Sequence, residues 1–448
     1  MGSQMADSIC TRTLVNNVTL YLTGNVNKNV SVVKLNNENL LKNGELYFLL
    51  NFKAWKSFCQ SDNFCSDNCT TILHYCLRKQ GKETNDNLTL QAKRITLQVF
   101  QQLIAISAEW PISINNCSLE KQRVCLFLNR VPVIRNAVIT AIEHDKSFGQ
   151  CEPTNRHFQL QVAEDKESEL TTMRLQLLKD VTDKLLRLNG CQVSNNESAS
   201  KFVLSTKSEG PVEEDYKKYI CAVVKNSKSN SKETCLSWNE HIARKIKNLE
   251  ELNEDKLFEM ERRDVSLDCF LKDIATSIAT FELLSIKPSH SVFIGHDVPP
   301  DRNVTNTKGA SFILYNSARI STILAKYNNK RLRGEYPDLP NMRDIDFSIL
   351  NEQDEWELVY NFIVGYQQVL QDCIKYDDTF QTNPQALCIF LSRLCQRFSV
   401  YYRKTRILTE KYDHLLPTMF ARLYMVKALQ VVLQNGLGLL GIKTMSQM

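Results

Sequence analysis

Cationic and aromatic side chains alternate near the end of this 448-residue chain, in the stretch 387–448. Its apolar positions recur at helical spacing, which predicts two amphipathic helices that meet at Pro417. Gly436 and Gly438 are expected to end the second helix as C-cap glycines. Basic groups with aromatic rings between them suit a phosphate backbone and its unstacked bases. The alternative interpretation is a solvated charged face on an ordinary core helix.

Nine residues of the C-terminal third are candidates for contact with nucleic acid. Arg393, Arg397 and Tyr401 repeat at i, i+4 and i+8, so they form one stripe that can follow a backbone. Arg403 and Arg406 lie at the end of the same helix, where cations also stabilise the helix macrodipole. The other candidates are Tyr315, Arg319, Arg422 and Lys427.

Tyr315 and Arg319 are one helical turn apart, so both can face the same side. The alternative is that Tyr315 packs inside a helix bundle and that Arg319 pairs with a carboxylate. Arg422 and Lys427 are expected on the face of the second helix that is opposite its apolar positions. His290 and His296 lie in a loop without an acidic group to orient them, so no catalytic role is expected.

The composition predicts a folded protein of two or three domains, because 43% of the residues are hydrophobic and only 11 are prolines. The excess of 55 Lys and Arg over 50 Asp and Glu is slight, so any basic surface must be local. No apolar run approaches the roughly 20 residues that span a bilayer, and no membrane association is expected. Fifteen cysteines, an odd number, without a secretory signal indicate reduced thiols in the cytoplasm, with the nucleus as the alternative.

One cluster of cysteines invites a metal interpretation. Cys59, Cys65, Cys69, His74 and Cys76 offer sulfur and imidazole ligands, but their spacing does not match the tight knuckles of structural zinc sites. Buried thiols on a helix are the favoured interpretation. We therefore expect no metal site and no cofactor.

The order of elements predicts a mixed α/β region followed by a helical one. The first region, 1–115, mixes short β-type runs with helices. The second, 116–265, begins with a strand at 124–128 and continues with a helix at 171–189, Gly190 and further strands, which suggests an α/β unit. The third region, 266–448, is helical apart from a loop or linker at 286–307.

The C-terminal half resembles the anticodon-binding domain of arginyl-tRNA synthetases. Four separated blocks fall in that family's order and spacing: 278–285 (IATFELLS), 309–324 (GASFILYNSARISTIL), 398–408 (FSVYYRKTRIL) and 421–442 (ARLYMVKALQVVLQNGLGLLGI). Upstream, 173–193 is similar to the synthetase helix that follows the first ATP-binding signature. The resemblance implies a Rossmann-like nucleotide-binding region followed by an α-helical bundle that approaches tRNA.

The signatures of adenylation depart from the synthetase pattern. Where the family has a His-x-Gly-His box, this chain has Glu169, Leu170, Thr171 and Thr172. The missing glycine would have let the backbone approach the nucleotide, and the missing histidines would have met its phosphates. The second signature, Lys-Met-Ser-Lys-Ser, has only a near-match at 225–229. We therefore expect a degenerate nucleotide-binding region and no catalytic residues.

The chain resembles most closely the DALR anticodon-binding domain-containing protein 3 family, through the segment 419–423 (MFARL), the stretch 346–356 and the decayed ATP signatures. That resemblance implies a non-catalytic adaptor that binds arginine tRNAs. It also implies a partner, a methyltransferase that forms 3-methylcytidine in the anticodon loop. The alternatives are an arginyl-tRNA synthetase with unconventional signatures and a scaffold that binds only protein.

Overall fold

The chain divides into two units in the computed structural model, and each unit is formed by two separate stretches of sequence. The first unit contains Met1–Thr140 and Pro340–Gln368, and the second contains Ala141–Leu339 and Val369–Met448. The structure describes residues 10–26, 31–59, 69–80, 88–164, 167–196, 198–209, 215–261, 267–295, 309–376 and 379–444.

Helices form most of the described secondary structure. In chain order they are α1 (Thr11–Thr23), α2 (Leu40–Asn43), α3 (Lys56–Cys59), α4 (Ile72–Lys79), α5 (Leu88–Ser107), α6 (Arg130–His144), α7 (Glu169–Leu188), α8 (Trp238–Glu261), α9 (Leu267–Leu284), α10 (Ala310–Leu332), α11 (Gln353–Leu358), α12 (Tyr366–Asp372), α13 (Pro384–Lys404) and α14 (Leu416–Leu439). A π-helical turn, Val359–Val364, joins α11 to α12.

The strands are short. In chain order they are β1 (Lys34–Leu35), β2 (Leu46–Leu49), β3 (Ile114–Glu120), β4 (Arg123–Leu128), β5 (His157–Val162), β6 (Gln192–Val193), β7 (Ser200–Ser205), β8 (Tyr216–Ile220), β9 (Val224–Asn226), β10 (Val292–Ile294), β11 (Ile374–Lys375) and β12 (Gln381–Thr382).

The first unit contains an antiparallel sheet in the order β1-β2-β4-β3. Strand β4 was expected in the α/β unit, but its residues pair with β2 through Leu46 and Leu126 and with β3 through Leu119 and Val124. Only two residues, Lys121 and Gln122, separate β3 from β4, so the two strands form a β-hairpin. The first unit therefore extends beyond the boundary expected at residue 115.

A buried carboxylate ties the returning segment Pro340–Gln368 to that sheet. Glu45 accepts hydrogen bonds from the Leu128 backbone N–H at 2.8 Å, from Arg130 at 2.9 Å and from the Trp356 indole at 2.7 Å. Tyr360 donates to the Glu45 carbonyl at 3.1 Å. Burial raises the pKa of the Glu45 carboxyl, and the donors oppose that rise because they stabilise its charged form.

The second unit contains a parallel sheet in the order β6-β5-β7-β8, with α7 packed against it. Helix α7 confirms the helix predicted at 171–189, although it begins two residues earlier and ends one residue earlier, and Gly190 lies just beyond it with a φ of 79°. The preceding strand of this α/β unit is β5, which the sequence analysis did not identify. The expected loop at 286–307 also contains β10, which pairs in parallel with β9.

Helices α9, α10, α13 and α14 pack together in the second unit and confirm the helical C-terminal region. The polar face of α14 is narrow, because four successive residues at 423–426 are buried, while Lys427 is exposed and Arg422 is partly buried. One expectation for α14 is wrong. The helix continues through Gly436 and Gly438 to Leu439, and Gly436 is instead required for close packing, since an added Cβ would lie 2.7 Å from Leu391 Cδ2.

Helix α14 is long and apolar enough to cross a membrane, judged by length and composition alone. That differs from the expectation that no apolar run reaches such a length. In this structure 67% of its most apolar 18-residue window is buried inside the protein, as in the core helix of a bundle.

Candidate nucleic-acid interface

A cleft of about 620 Å³ lies between α10, the end of α13 and the segment that follows α13. It is lined by Tyr315, Ala318, Arg319, Thr322, Ile323, Lys326, Tyr402, Arg403, Lys404, Thr405, Arg406, Ile407 and Leu408. We refer to this set of residues as the basic cleft. It combines five cationic side chains with two tyrosines, and no carboxylate lines it within the described part of the chain.

Helical spacing explains why the α10 side of the cleft is polar and aromatic. Ile313, Ile320 and Ile323 are buried against the bundle. Tyr315, Arg319, Thr322 and Lys326 follow one another at intervals of four, three and four residues, so they form a single stripe.

The other wall is fixed by the segment 405–415, which joins α13 to α14. Tyr336 donates from its hydroxyl to the Thr409 carbonyl at 2.6 Å, and its ring stacks on Tyr327 of α10. Ile407 is buried, and Arg422 of α14 donates to the Arg406 carbonyl at 3.3 Å. These contacts hold the segment against both helices, so the cleft has two supported walls.

Arg319 is the central cation of the basic cleft. Its Nη2 donates to the Tyr315 hydroxyl at 2.7 Å, and its Nη1 lies 3.4 Å from Ser399 Oγ and 3.5 Å from Asn316 Oδ1. The guanidinium carbon lies 4.5 Å from the ring centroid of Tyr315 and 4.9 Å from that of Tyr402, within cation–π range. A neutral, aromatic surrounding therefore orients this charge.

The described carboxylates do not neutralise Arg319, Lys326 or Arg403. The Nε of Arg403 donates to the Ser399 carbonyl at 3.4 Å. Arg406 differs, because its Nη1 lies 3.3 Å from Glu410. The cleft therefore keeps a net positive charge and attracts an anion.

Cations at the end of α10 provide a contrast. Arg331 pairs with Asp338 at 2.9 Å, and Lys330 and Arg333 lie within 4 Å of Glu335. They belong to the same helix, but carboxylates accompany them. The charge pattern therefore distinguishes the cleft from an ordinary solvated face of mixed sign.

Four of the nine predicted contact residues line the cleft: Tyr315, Arg319, Arg403 and Arg406. The alternative in which Tyr315 packs inside the bundle and Arg319 pairs with a carboxylate does not occur here, since Tyr315 is 43% exposed and Arg319 contacts neutral groups. The structure thus brings together residues that lie about 90 positions apart in the sequence.

Tyr401 requires a correction. Its side chain is fully buried, so it offers no ring to a base, and its predicted role as an RNA contact is wrong for this structure. The remaining predicted residues lie outside the cleft lining. Arg393 and Lys427 are exposed, whereas Arg397 and Arg422 are partly buried.

The nine contact residues predicted from the sequence did not include Lys326, Tyr402 and Lys404, which also line the cleft. The exposed ring of Tyr402 stacks on Phe398 at 6.1 Å and takes the position that was assigned to Tyr401. Only one of two adjacent tyrosines can face the core of a helix, and the sequence alone did not show which one. Lys326 had a usable signal, since it continues the stripe of Tyr315 and Arg319 along α10.

The positions that correspond to the first ATP signature lie at the start of α7. Glu169 is in the first turn, and its carboxylate accepts the backbone N–H of Trp238 at 3.0 Å. The hydroxyl of Thr171 accepts the backbone N–H of Val224 at 3.2 Å. These side chains bind the protein's own backbone at the helix end that would attract a phosphate.

Arg174, one turn further on, is fully buried and bonded to backbone. It donates to the carbonyls of Ala222 at 2.7 Å and Lys287 at 3.0 Å, and to those of Leu283 and Ile286 at 3.3 Å. Burial lowers the pKa of its guanidinium to about 10. Its contacts indicate a structural cation that joins α7 to the segments around it.

The near-match to the second signature forms a short closed turn. Asn226 Oδ1 accepts the backbone N–H of Lys228 at 2.9 Å, and Asn226 Nδ2 donates to Glu233 at 2.7 Å. Lys232 forms an ion pair with Glu167, whose position precedes α7. The side chains of this turn thus contact one another and the start of the α7 region.

The cysteine cluster shows no metal geometry where it is described. Cys59 and Cys76 are buried and Cys69 is partly buried, whereas Cys65 lies outside the described residues. Within the described ranges, no group of three or more His, Cys, Asp or Glu side chains is placed to hold a metal ion.

Comparison with known proteins agrees with the helical part of this fold. Residues 313–448 match the family model of the DALR anticodon binding domain. The chain is 32% identical over 176 residues to a protein from Rattus norvegicus named DALR anticodon-binding domain-containing protein 3, and 29% identical over 189 residues to its namesake from Danio rerio. These matches cover 38% and 40% of this chain, and confirm the resemblance found in the sequence.

The matched part is limited in the relatives as well. It spans 32% of the length of the rat protein and 34% of the zebrafish protein, about a third of each. The arginine–tRNA ligase of Syntrophotalea carbinolica is 28% identical over 137 residues, which is 31% of this chain and 22% of that enzyme.

Solved structures extend the likeness of fold to nearly the whole chain. The arginyl-tRNA synthetase of Thermus thermophilus superimposes with a TM-score of 0.63 at 10% identity, covering 98% of this chain and 100% of that one. The Plasmodium falciparum enzyme gives 0.60 at 9% identity, covering 99% and 100%. At such low identity the likeness establishes the fold, a mixed α/β region followed by a helical one.

Proposed function

We propose that this chain, whose residues 313–448 form a DALR anticodon-binding domain, is a non-catalytic tRNA-binding adaptor that recognises arginine tRNAs. The domain and the synthetase-like fold support tRNA binding. The observation that carries the proposal is the basic cleft, where Arg319, Lys326 and Arg403 lie beside two exposed tyrosine rings. None of the described residues that line this cleft is a carboxylate.

The chemistry of the cleft suits an RNA loop better than a duplex. Phosphates of the loop would contact the cations, and these contacts supply affinity without regard to sequence. The rings of Tyr315 and Tyr402 offer faces on which an unstacked base can stack. An anticodon loop presents both groups together, and it is the part of a tRNA in which bases are most accessible to stacking.

Charge reversal at Arg319 and Arg403 tests this site. The double variant R319E/R403E is expected to bind tRNA at least tenfold more weakly near 0.1 M salt, because two phosphate contacts become repulsive. The slope of log affinity against log salt should also become shallower by about 1.4, at roughly 0.7 for each lost contact to single-stranded RNA. Fluorescence anisotropy with labelled tRNA measures both quantities.

The matched control is the double variant R331E/R333E, which makes the same charge change at the end of α10, where both arginines already have carboxylate neighbours. It should retain most of the affinity. Equal losses in the two double variants would indicate a general effect of net charge, and unchanged affinity of R319E/R403E would remove the cleft as the binding surface.

The start of α7 supports the non-catalytic part of the proposal. A synthetase needs preorganised positive charge around the nucleotide phosphates. Here the carboxylate of Glu169 lies in the first turn of α7, where it would repel a phosphate, and Arg174 is already engaged by backbone carbonyls. Arginine-dependent ATP–pyrophosphate exchange should therefore stay at background. A clear exchange rate would favour an arginyl-tRNA synthetase with unconventional signatures.

The resemblance to the DALR anticodon-binding domain-containing protein 3 family supports a further part of the proposal. We infer that the bound tRNA is presented to a methyltransferase that forms 3-methylcytidine in the anticodon loop. Sequencing the RNA that co-purifies with the chain should return arginine tRNAs that carry this modification. A methyltransferase that remains after nuclease treatment, with no tRNA recovered without nuclease, would instead support a scaffold that binds only protein.

A further inference from the structure

We infer that the basic cleft prefers unstacked bases with a carbonyl oxygen at pyrimidine C4 or purine C6, as in uracil, hypoxanthine and guanine, over bases with an amino group at that position, as in cytosine and adenine. This inference rests on the proposed binding of RNA in the cleft. It concerns which bases the cleft accepts, and it follows from the kinds of hydrogen-bonding groups that line it.

The ionised side chains of the cleft can only donate hydrogen bonds. Arg319, Arg403 and Arg406 carry guanidinium groups, and Lys326 and Lys404 carry ammonium groups, none of which has an acceptor atom. No lining side chain among the described residues is an amide or a carboxylate, the groups that accept from the amino groups of cytosine and adenine in protein–nucleic acid complexes. The side-chain chemistry is therefore strongly biased towards donation.

Two of the neutral hydroxyls near Arg319 already make one hydrogen bond each within the protein, so few acceptors remain among the five cationic donors of the cleft. The Tyr315 hydroxyl accepts from Arg319 Nη2 at 2.7 Å, and the Thr322 hydroxyl donates to the Ala318 carbonyl at 2.8 Å. A base amino group that enters beside Arg319 would lose its hydrogen bonds to water, and it would meet mainly other hydrogen-bond donors in the cleft. A carbonyl oxygen at the same place would meet donors that are ready to bind it.

Arg319 is oriented before any ligand arrives. The short bond to Tyr315 and the contact of its guanidinium carbon with both tyrosine rings fix the plane of the group. A guanidinium has five N–H groups, and the two neutral oxygens that face Nη1 lie at long distances of 3.4 and 3.5 Å. Part of its donor edge is thus available to a carbonyl oxygen, as in the pairing of arginine with guanine O6 and N7.

Phosphate groups would satisfy the same donors, so the test must hold the backbone constant. We measure the affinity of the 448-residue chain for labelled single-stranded RNA pentamers in two matched pairs. The first pair is U5 against C5, and the second is a pentamer of inosine against a pentamer of adenosine. Each pair keeps the ring type and phosphates. It exchanges a carbonyl oxygen for an amino group at one ring position, and the adjacent ring nitrogen changes from an N–H donor to an acceptor. We expect U5 to bind about tenfold more tightly than C5 at one salt concentration, and inosine to exceed adenosine in the same direction.

The variants Arg319→Lys and Arg319→Gln examine the role of the guanidinium. Lysine keeps the charge but lacks the planar fork, so affinity should be largely retained while the ratio of U5 to C5 falls. Glutamine adds an acceptor, so the ratio should approach one or reverse. Arg331→Gln, on the same helix but paired with Asp338 at 2.9 Å, should leave the ratio unchanged. Thermal melting of each variant shows whether the fold is retained.

The outcomes separate this inference from the proposed function. Firm binding of all four pentamers with equal affinity, or tighter binding of C5, would overturn the preference for carbonyl-bearing bases and leave RNA binding intact. Failure of the wild-type chain to bind any pentamer or whole tRNA at low salt would overturn the proposed function itself. A ratio that persists in all Arg319 variants would contradict the role of this residue.

Discussion

The groups that contact Arg319 determine which ligand its guanidinium can bind. In sequence it is an arginine four positions after a tyrosine, a pattern that a core helix with a surface ion pair also produces. In the structure its partners are a hydroxyl at 2.7 Å and two aromatic rings. A guanidinium that is oriented without a carboxylate is suited to an anionic or carbonyl-bearing ligand, because no charge within the described residues competes for it.

Tyr402 is the residue whose loss should reveal stacking. Tyr402→Ala is expected to weaken binding of single-stranded RNA about tenfold, because base–aromatic stacking contributes about 1–3 kcal/mol. Tyr402→Phe keeps the ring and should retain most of the affinity. The measurement is a titration by anisotropy at fixed salt.

Tyr412→Ala is the control for Tyr402→Ala. Tyr412 is also an exposed tyrosine, at 54%, and it stacks on His414 in the segment 405–415 without lining the cleft. Its removal should change RNA affinity little. Equal losses for the two alanine variants would place the stacking surface elsewhere or spread it along the whole segment.

At the scale of elements, the helices of the bundle are defined by how closely they approach. Gly436 and Gly438 differ in this respect although both lie within α14. An added Cβ at Gly436 would lie 2.7 Å from the buried Leu391 side chain of α13, whereas at Gly438 nothing lies within 4 Å. The first glycine permits contact between helices, and the second has no such packing role.

Alanine substitution should therefore separate the two glycines. Gly438→Ala should raise the free energy of unfolding by about 0.5–1 kcal/mol, because alanine restricts the unfolded backbone and favours a helix. Gly436→Ala gains the same stabilisation from alanine's backbone preference, but its methyl group overpacks the contact with Leu391. That overpacking lowers the free energy of unfolding by about 1–3 kcal/mol. Urea denaturation should thus rank Gly438→Ala above Gly436→Ala. The reverse order would mean that Leu391 moves aside at little cost.

The returning segment Pro340–Gln368 gives the first unit one of its buried hydrogen-bond networks. Trp356→Phe keeps an aromatic ring but removes the indole N–H that binds the Glu45 carboxylate at 2.7 Å. The loss should lower the free energy of unfolding by about 1–3 kcal/mol at neutral pH, as expected for a weakened buried carboxylate.

The pH dependence of this variant has a definite sign. The indole N–H stabilises the charged carboxylate, so its removal raises the folded-state pKa of Glu45 further above the unfolded value. A raised folded pKa means that stability is retained at low pH and lost as pH rises. The deficit of Trp356→Phe should therefore be larger at pH 8 than at pH 5 in denaturation curves. An equal deficit at both pH values would indicate that packing, and not the carboxylate, accounts for it.

For the whole molecule, the sequence predicted local features better than the division into units. Helical spacing located α7, α9 and α10, because a buried stripe repeats in each of them. It also located α14, whose predicted apolar positions are buried, but it placed the end of that helix too early, at Gly436 and Gly438. It also placed β4 in the wrong sheet, because a run of apolar residues specifies a strand but not its partner.

In the candidate site, too, local features were predictable from the sequence and tertiary contacts were not. The α10 stripe and the arginines after α13 were predictable from composition and order. The choice of Tyr402 over Tyr401 was not, because adjacent positions on a helix differ by only 100° and the facing direction depends on tertiary packing. The absence of carboxylates around Arg319 could not be predicted either, since it depends on which distant segments come close.

The stretch that matches the DALR domain model, 313–448, does not coincide with one of the two structural units. It begins in the second unit, contributes Pro340–Gln368 to the first and then returns. A gene fragment cut to those limits would encode Trp356 and Tyr360, both nearly fully buried here, without Glu45, to which both donate hydrogen bonds. Such a fragment should aggregate when expressed alone, and genetic exchange of this domain between proteins would have to carry the first unit with it.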